Sequence, residues 1–358
     1  MIRSLHLENF RGFPHYEVGK LGRINLFVGT NNSGKTSLLE AIELLVAEGD
    51  ALTLWNSLSR RGESLLVDDQ REDQRKLDVS HLFWGHSPEI GSKLTIQAHT
   101  DSGSQALSAI LRDTTATDMF SSSELTAILM LEWESNKRHE TNEIHLNDGF
   151  AMSGGPMRWR ARRMKPSAPP IVFITTDSLS QYDVTEALSA VVLDPEEGLV
   201  IQALQLIDPS IERIAPVFSR SPSATSKGGV VIKSSKYPTR LPIGTMGDGI
   251  WHLMSLALAM VRARGGVLLV DEIDTGLHYS VMENMWHLVQ QTARRLDVQV
   301  FATTHSSDCW KALASICSRE KLDGSEVSMQ RIEPDKPQAI VFQEQEIVVA
   351  AEQDIEVR

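Results

Sequence analysis

Apolar residues recur along this chain in two rhythms, and the switches between them predict its elements. Ile2, Leu5 and Leu7 suggest a first strand; Ile24-Asn25-Leu26-Phe27-Val28 is a clearer one, bounded by turn residues Gly22 and Gly29. Leu38, Leu39, Ile42, Leu45 and Val46 then return at helical spacing, which predicts an amphipathic helix of about three turns. Residues 47–80 are polar and charged and predict an exposed loop or surface helix, while 93–98 and 127–133 predict strands joined by Ser/Thr/Asp-rich connections. The Gly-, Pro- and Arg-rich stretch 153–170 is the strongest internal boundary. Beyond it come a strand at Ile171–Ile174, a Ser-rich loop at 219–229, a strand at 230–233 and a long apolar helix at 249–261. A strand at Val267–Val270, a helix at Tyr279–Leu296, a strand at 298–302 and a terminal hairpin of 327–331 with 339–342 complete the reading.

Strands alternating with helices at both ends predict the α/β class, a mixed sheet flanked by helices. The chain therefore divides into a head made of 1–50 and 236–358, and an inserted α+β subdomain over 51–235. No heptad is sustained in the insert, so no long coiled coil is expected. A length of 358 residues allows two or three lobes, and 41% hydrophobic with 23% charged residues excludes collagen-like and disordered chains. No apolar run approaches the ~20 residues that span a bilayer, so no membrane association is expected. Met1 to Glu8 shows no leader-like apolar stretch, and the two cysteines, Cys309 and Cys317, make no disulfide framework. A cytoplasmic location follows as the expectation. The net charge of −12 argues against a general nucleic-acid coat, because such binding is led by Lys and Arg at phosphates.

The chemistry concentrates in three places. Gly29-Thr30-Asn31-Asn32-Ser33-Gly34-Lys35-Thr36 matches G-x-x-x-x-G-K-[ST] between a predicted strand and a predicted helix, the context a phosphate loop needs. Backbone N–H groups there would cradle phosphates, an exposed Lys35 would reach the β- and γ-phosphates, and the Thr36 hydroxyl would ligate Mg²⁺. Val267-Leu268-Leu269-Val270-Asp271-Glu272 reads as a strand buried on both faces and tipped by two carboxylates. At the carboxyl end of such a strand Asp271 would hold Mg²⁺, and Glu272 would orient or deprotonate water. A bare solvated strand end is the competing reading. Val300-Phe301-Ala302-Thr303-Thr304-His305-Ser306 is a second buried strand with a polar end, from which His305 would approach a γ-phosphate.

Together with Asn9-Phe10-Arg11-Gly12-Phe13 and Asp274-Thr275-Gly276-Leu277-His278, these residues resemble the ABC-type ATPases of the RecF/SMC/OLD (overcoming lysogenization defect) class. The resemblance is nearest to stand-alone ATPases of bacterial antiphage systems and covers roughly 1–50 and 240–310. It implies an ABC-type P-loop ATPase head, with ATP and Mg²⁺ bound by Asn31, Asn32, Ser33, Gly34, Lys35, Thr36 and Asp271, and with Arg11 touching nucleotide or transmitting the dimer state. It also implies a homodimer or higher oligomer of heads, each site completed by the partner's Gly244-Thr245-Met246-Gly247-Asp248-Gly249. Gly247 stands where the family has Ser, which implies slow turnover through backbone donors alone; capping of the helix by Asp248 is the alternative reading. After His305 there is no Asp-x-Asp pair on a predicted strand, so a nuclease or toxin effector is expected on a separate polypeptide. A RecF-like DNA-repair ATPase and an ATP-gated scaffold with little hydrolysis are the rival functions.

Weaker signals remain. Arg158 to Lys165 gathers five basic residues and Trp159, which suits nucleic acid, an acidic partner or plain solvation. His81 and His86 flank Leu82-Phe83-Trp84-Gly85 without metal-site spacing, which favours core packing. Gln97 is a weak candidate for the family's metal-binding glutamine.

Overall fold

Alternation with a period of two governs the first strands. Leu5, Leu7, Tyr16 and Val18 are buried, whereas Glu8, His15 and Glu17 on the opposite face are exposed. The computed structural model describes residues 1–64, 76–113, 125–147, 150–153, 168–192, 194–217, 229–319 and 326–357. In chain order the elements are β1 (Ile2–Phe10), β2 (Phe13–Val18), β3 (Ile24–Val28), α1 (Lys35–Val46), α2 (Ala51–Arg60), β4 (Lys76–Asp78), β5 (Lys93–Thr100), β6 (Gly103–Asp113), β7 (Leu125–Ser135), β8 (His139–Asn147) and β9 (Ala151–Ser153). There follow β10 (Ile171–Ile174), α3 (Gln181–Val191), α4 (Glu197–Gln205), β11 (Ile211–Pro216), β12 (Val230–Ser234), β13 (Leu241–Pro242), α5 (Asp248–Arg262) and β14 (Val267–Val270). The last are α6 (Tyr279–Leu296), β15 (Gln299–Thr304), α7 (Ser307–Arg319), β16 (Val327–Arg331), β17 (Ile340–Gln343) and α8 (Glu344–Glu352).

These elements form two compact units, one of residues 1–21, 31–169 and 332–341, the other of 22–30, 170–331 and 342–358. The expected single insert over 51–235 is thus shared: its strands up to Ser153 join the sheet of β1 through β5, while Ile171–Ile174 pairs with β14. In the first unit an antiparallel sheet runs β2-β1-β5-β6-β7-β8-β9-β4, and α1 packs on β5 and β6. Helix α1 is buried nearly all round, Glu40 and Glu43 included, rather than on one face as its periodicity predicts. Carboxylates survive such burial only with cations against them; Glu40 meets Arg11 and Arg61, and Glu43 meets Arg60. Part of the polar stretch 47–80 is also packed, because Asp50 caps α2 by accepting from Thr53 N–H at 2.9 Å and Leu52, Leu54, Trp55 and Leu58 are buried.

The second unit is built on β10-β14-β15-β3-β16, paired in parallel, with β17 next in order. Every residue of β3, β14 and β15 is buried, as expected of strands covered on both faces. A small sheet of β11, β12 and β13 completes the unit. Helices α3 to α8 share its apolar core with these strands. No described helix is long and apolar enough to cross a membrane.

Trp286 of α6 is among the largest fully buried side chains, and its Nε1–H donates to the Cys309 carbonyl of α7 at 3.0 Å. Trp286→Ala opens a cavity and orphans that carbonyl, so chemical denaturation is expected to show a loss of about 3–5 kcal/mol. A loss below about 1 kcal/mol would mean that α6 and α7 are not a packed pair.

Candidate functional site

Parallel pairing decides where the second unit can do chemistry. Val28 of β3 lies opposite Thr304 of β15, and Ala302 of β15 opposite Val270 of β14, so the three strands end at one edge of the sheet. From that edge leave Gly29-Thr30, Asp271-Glu272 and His305, the place where open α/β sheets bind ligands. One hydroxyl organises it. Thr303 Oγ1 donates to Asp271 Oδ1 at 2.6 Å and accepts from the Glu272 N–H at 2.8 Å. Glu272 has a left-handed φ of +53°, a conformation that costs a non-glycine residue about 1–3 kcal/mol unless its surroundings impose it. The Thr303 bond and a Thr275 N–H donated to the Glu272 carbonyl at 3.0 Å are such impositions. They turn the carboxylate to within 3.3 Å (Oε1) of His305 Nδ1. The structure therefore brings Asp271, Glu272 and His305 together at one edge. It adds Thr303, whose only sequence signal is a polar residue closing a buried apolar strand.

The loop that follows Asp271-Glu272 is held to α5. His252 is buried on α5; its Nε2–H donates to the Ile273 carbonyl at 2.9 Å, and its Nδ1 lies 3.0 Å from the Ser178 hydroxyl. Burial lowers its pKa below the ordinary 6.5 and so favours the neutral ring, against the opposite pull of that carbonyl bond and of the Asp274 charge. The two signature glycines differ. Gly247 precedes α5 with φ +88° and ψ 175°, a region open only to glycine, and a side chain there would meet nothing within 4 Å. Gly247, not Asp248, is the N-cap, and no side chain caps the helix. A Cβ on Gly249 would stand 2.7 Å from the Gly276 carbonyl oxygen, so this glycine permits a close approach of two backbones within the chain.

In the first unit, residues 31–34 turn the chain into α1. Gly34 is the N-cap, with φ +93°, and a Cβ there would lie 2.4 Å from the Phe13 ring. Asn31 and Asn32 are exposed, Thr36 is half-buried, and Lys35 is buried at 9% exposure, not the exposed ligand that the motif suggests. Ser33 Oγ is buried without a hydrogen-bond partner. A buried orphan hydroxyl at an uncapped helix N-terminus fits a phosphate oxygen. Thr36 and Asp271 offer hard oxygen atoms, the donor type Mg²⁺ takes.

Asn32, Ser33 and Gly34 share a cleft of about 570 Å³ with Arg11, Arg61, His81 and His86. Arg11 sits at the β1–β2 turn with φ +51°, and its guanidinium is buried between Glu40 (Nε to Oε2, 2.7 Å) and Glu63 (Nη1 to Oε1, 2.5 Å). Arg61 reaches the same Glu40 at 2.8 Å and Ser37 Oγ at 3.0 Å. His81 and His86 are not core residues: their rings stand 5.3 Å apart on the cleft wall, His86 exposed, while Leu82 and Phe83 between them are buried. Gln97 is an exposed residue in the middle of β5, paired with His6 and Ala106. The segment from Arg158 to Lys165 lies outside the described residues.

Two family models match the chain: "AAA ATPase domain" over residues 1–145 and "AAA domain, putative AbiEii toxin, Type IV TA system" over residues 196–308. The chain is 21% identical over 347 residues to an ATP/GTP phosphatase of Helicobacter pylori, covering 90% of this chain and 89% of that one. It is 35% identical over 85 residues to the DNA replication and repair protein RecF of a Synechococcus species, covering 24% of this chain and only 21% of that protein. Among solved structures, an Smc head domain with an extended coiled coil, bound to a ScpA C-terminal domain and derived from Pyrococcus furiosus, aligns with 12% identity over 99% of both chains at a TM-score of 0.48.

The Arg11–Glu40–Arg61 cluster yields a stability test. Glu40→Ala leaves two guanidinium groups facing one another across a buried void, so unfolding free energy is expected to fall by about 3–5 kcal/mol. A fall below about 1 kcal/mol in denaturant titrations would show that Glu63 alone satisfies Arg11.

Proposed function

We propose that this chain, an ABC-type ATPase of the RecF/SMC class, is a Mg²⁺-dependent ATP hydrolase whose ATP-controlled dimerisation governs a separate effector protein in antiphage defence. The observation that carries the reading is the Asp271–Thr303–Glu272–His305 constellation at the edge from which the phosphate loop departs. In this reading Lys35 and the backbone of residues 31–35 hold the β- and γ-phosphates, and Ser33 Oγ gains its missing partner from a phosphate oxygen. Bound through Thr36 and Asp271, Mg²⁺ would offset phosphate charge. Glu272 orients the attacking water and takes its proton while the water oxygen bonds to the γ-phosphorus and ADP leaves. His305 faces Glu272 and stabilises the charge that develops beside it.

The open, uncapped N-terminus of α5 at Gly247 supports dimerisation: its N–H donors suit a γ-phosphate presented by a second subunit. Gly249 also approaches Gly276 closely within the chain, and its N–H is proposed as a second donor to the same phosphate. Lacking a serine hydroxyl, Gly247 makes for slow turnover. The toxin–antitoxin description of the model over residues 196–308 is in keeping with a defence role and an effector. The local likeness to RecF favours a second reading, direct DNA binding in repair, which a gel-shift titration with and without ATP separates from the first.

Three variants test the proposal. Lys35→Ala is expected to abolish ATP binding in calorimetry, and Glu272→Gln to bind ATP but lose turnover by ~10²–10⁴-fold. ATP should convert the Glu272→Gln chain from monomer to dimer in mass measurements. Gly247→Val, which cannot hold φ +88° and so displaces the backbone at the helix end, should bind ATP without dimerising. Dimerisation of Gly247→Val at the wild-type ATP concentration would refute the composite site.

A further inference from the structure

The face of the first-unit sheet opposite Leu5, Leu7, Tyr16 and Val18 holds a second cluster of chemistry. Antiparallel register sets His6 opposite Glu17 and Glu8 opposite His15, so four donors occupy adjacent positions on one face of the β1–β2 hairpin. His6 Nε2 lies 3.3 Å from Glu8 Oε1, and Glu17 Oε1 lies 3.6 Å from His6 Nδ1 and 3.7 Å from His15 Nε2. The two imidazole rings meet edge to face at 4.7 Å. One ligand atom each from His6, Glu8 and His15 all fall within 4.8 Å of one another, a grouping found nowhere else among the described residues.

We propose that His6, Glu8 and His15 bind a divalent transition-metal ion of the zinc class, with Glu17, on the far nitrogen of His6, as the acceptor that orients the imidazole. Two imidazoles and two carboxylates meet here in a small volume, and a divalent ion among them would balance the two carboxylate charges. Zinc-class bonds to nitrogen and oxygen of ~2.1 Å at tetrahedral angles require donors roughly 3.4 Å apart. Among the three ligands His6 Nε2 and Glu8 Oε1 are already at 3.3 Å, and the wider pairs, within 4.8 Å, close by about 1 Å through rotations of side chains that are a quarter to a half exposed. The scaffold is fixed, because the outer edge of β2 is tied by Glu17 N–H to the Pro337 carbonyl at 2.9 Å and by Ala339 N–H to the Glu17 carbonyl at 2.8 Å. Imidazole donors disfavour Mg²⁺, which takes oxygen ligands in octahedral array, so this site is chemically distinct from a nucleotide's magnesium. The bland alternative is a set of solvated cross-strand His–Glu pairs.

The test uses the full, untagged chain freed of metal with EDTA. Calorimetry with Zn²⁺ is expected to give one ion per chain, and Co²⁺ to give the visible absorption of a tetrahedral nitrogen–oxygen site. His6→Asn, His15→Asn and the isosteric Glu8→Gln should each weaken Zn²⁺ binding at least ~10-fold, and the double histidine variant should abolish it. Lys35→Ala and His145→Asn should bind Zn²⁺ as the wild type does. Wild-type Zn²⁺ affinity in the double histidine variant, with its melting temperature unchanged, would overturn the site, as would a wild type that binds no Zn²⁺.

Discussion

A single hydroxyl, Thr303 Oγ1, stands between the two carboxylates of the candidate site, donating to Asp271 and accepting from the backbone of Glu272. Parallel pairing of β14 with β15 delivers these residues to one sheet edge, but pairing alone leaves their side chains free to rotate. The Thr303 bonds remove that freedom from Asp271 and hold Glu272 in a left-handed conformation it would otherwise avoid. Orientation of the carboxylate toward His305 is the consequence. Preorganisation of this kind is what lets fixed charges act on a reaction without first rearranging.

The first unit solves a different problem. Helix α1 must carry the phosphate loop at its N-terminus, yet it is buried on nearly every side and holds two acids. Arg11, Arg60 and Arg61 neutralise them, so the cation at the β1–β2 turn is tied to the helix that follows the loop. The charge that the resemblance assigns to nucleotide contact is thus already engaged with Glu40 and Glu63, on the wall of the cleft lined by Asn32, Ser33 and Gly34.

Much of this was legible in the sequence where burial is two-sided. β3, β14 and β15 read as unbroken apolar runs, and the motif between β3 and α1 is specific because its spacing follows phosphate geometry. The rest hid for physical reasons. The outward positions of β6 carry Ser104, Ala106 and Ser108, small residues that read as a connection, and only Leu107, Ala109 and Leu111 mark its buried face. Helix α7 has a short apolar stripe, Cys309, Trp310, Leu313 and Ile316, that is split by polar residues. His81 and His86 flank a buried Leu82-Phe83 pair on a cleft wall, a placement set by tertiary contacts and absent from spacing. Thr303 could be seen only as a polar end to a strand; its partners lie 31 and 32 positions away in the chain.

Steady-state kinetics on Thr303→Val and Thr303→Ser test the central claim most directly. Valine keeps the shape of the buried strand and removes the hydroxyl; serine restores it. If Thr303 aligns both carboxylates, the valine variant loses at least ~10-fold in kcat with ATP affinity within about twofold of wild type, and the serine variant recovers most of the loss. Wild-type turnover in the valine variant would contradict the account.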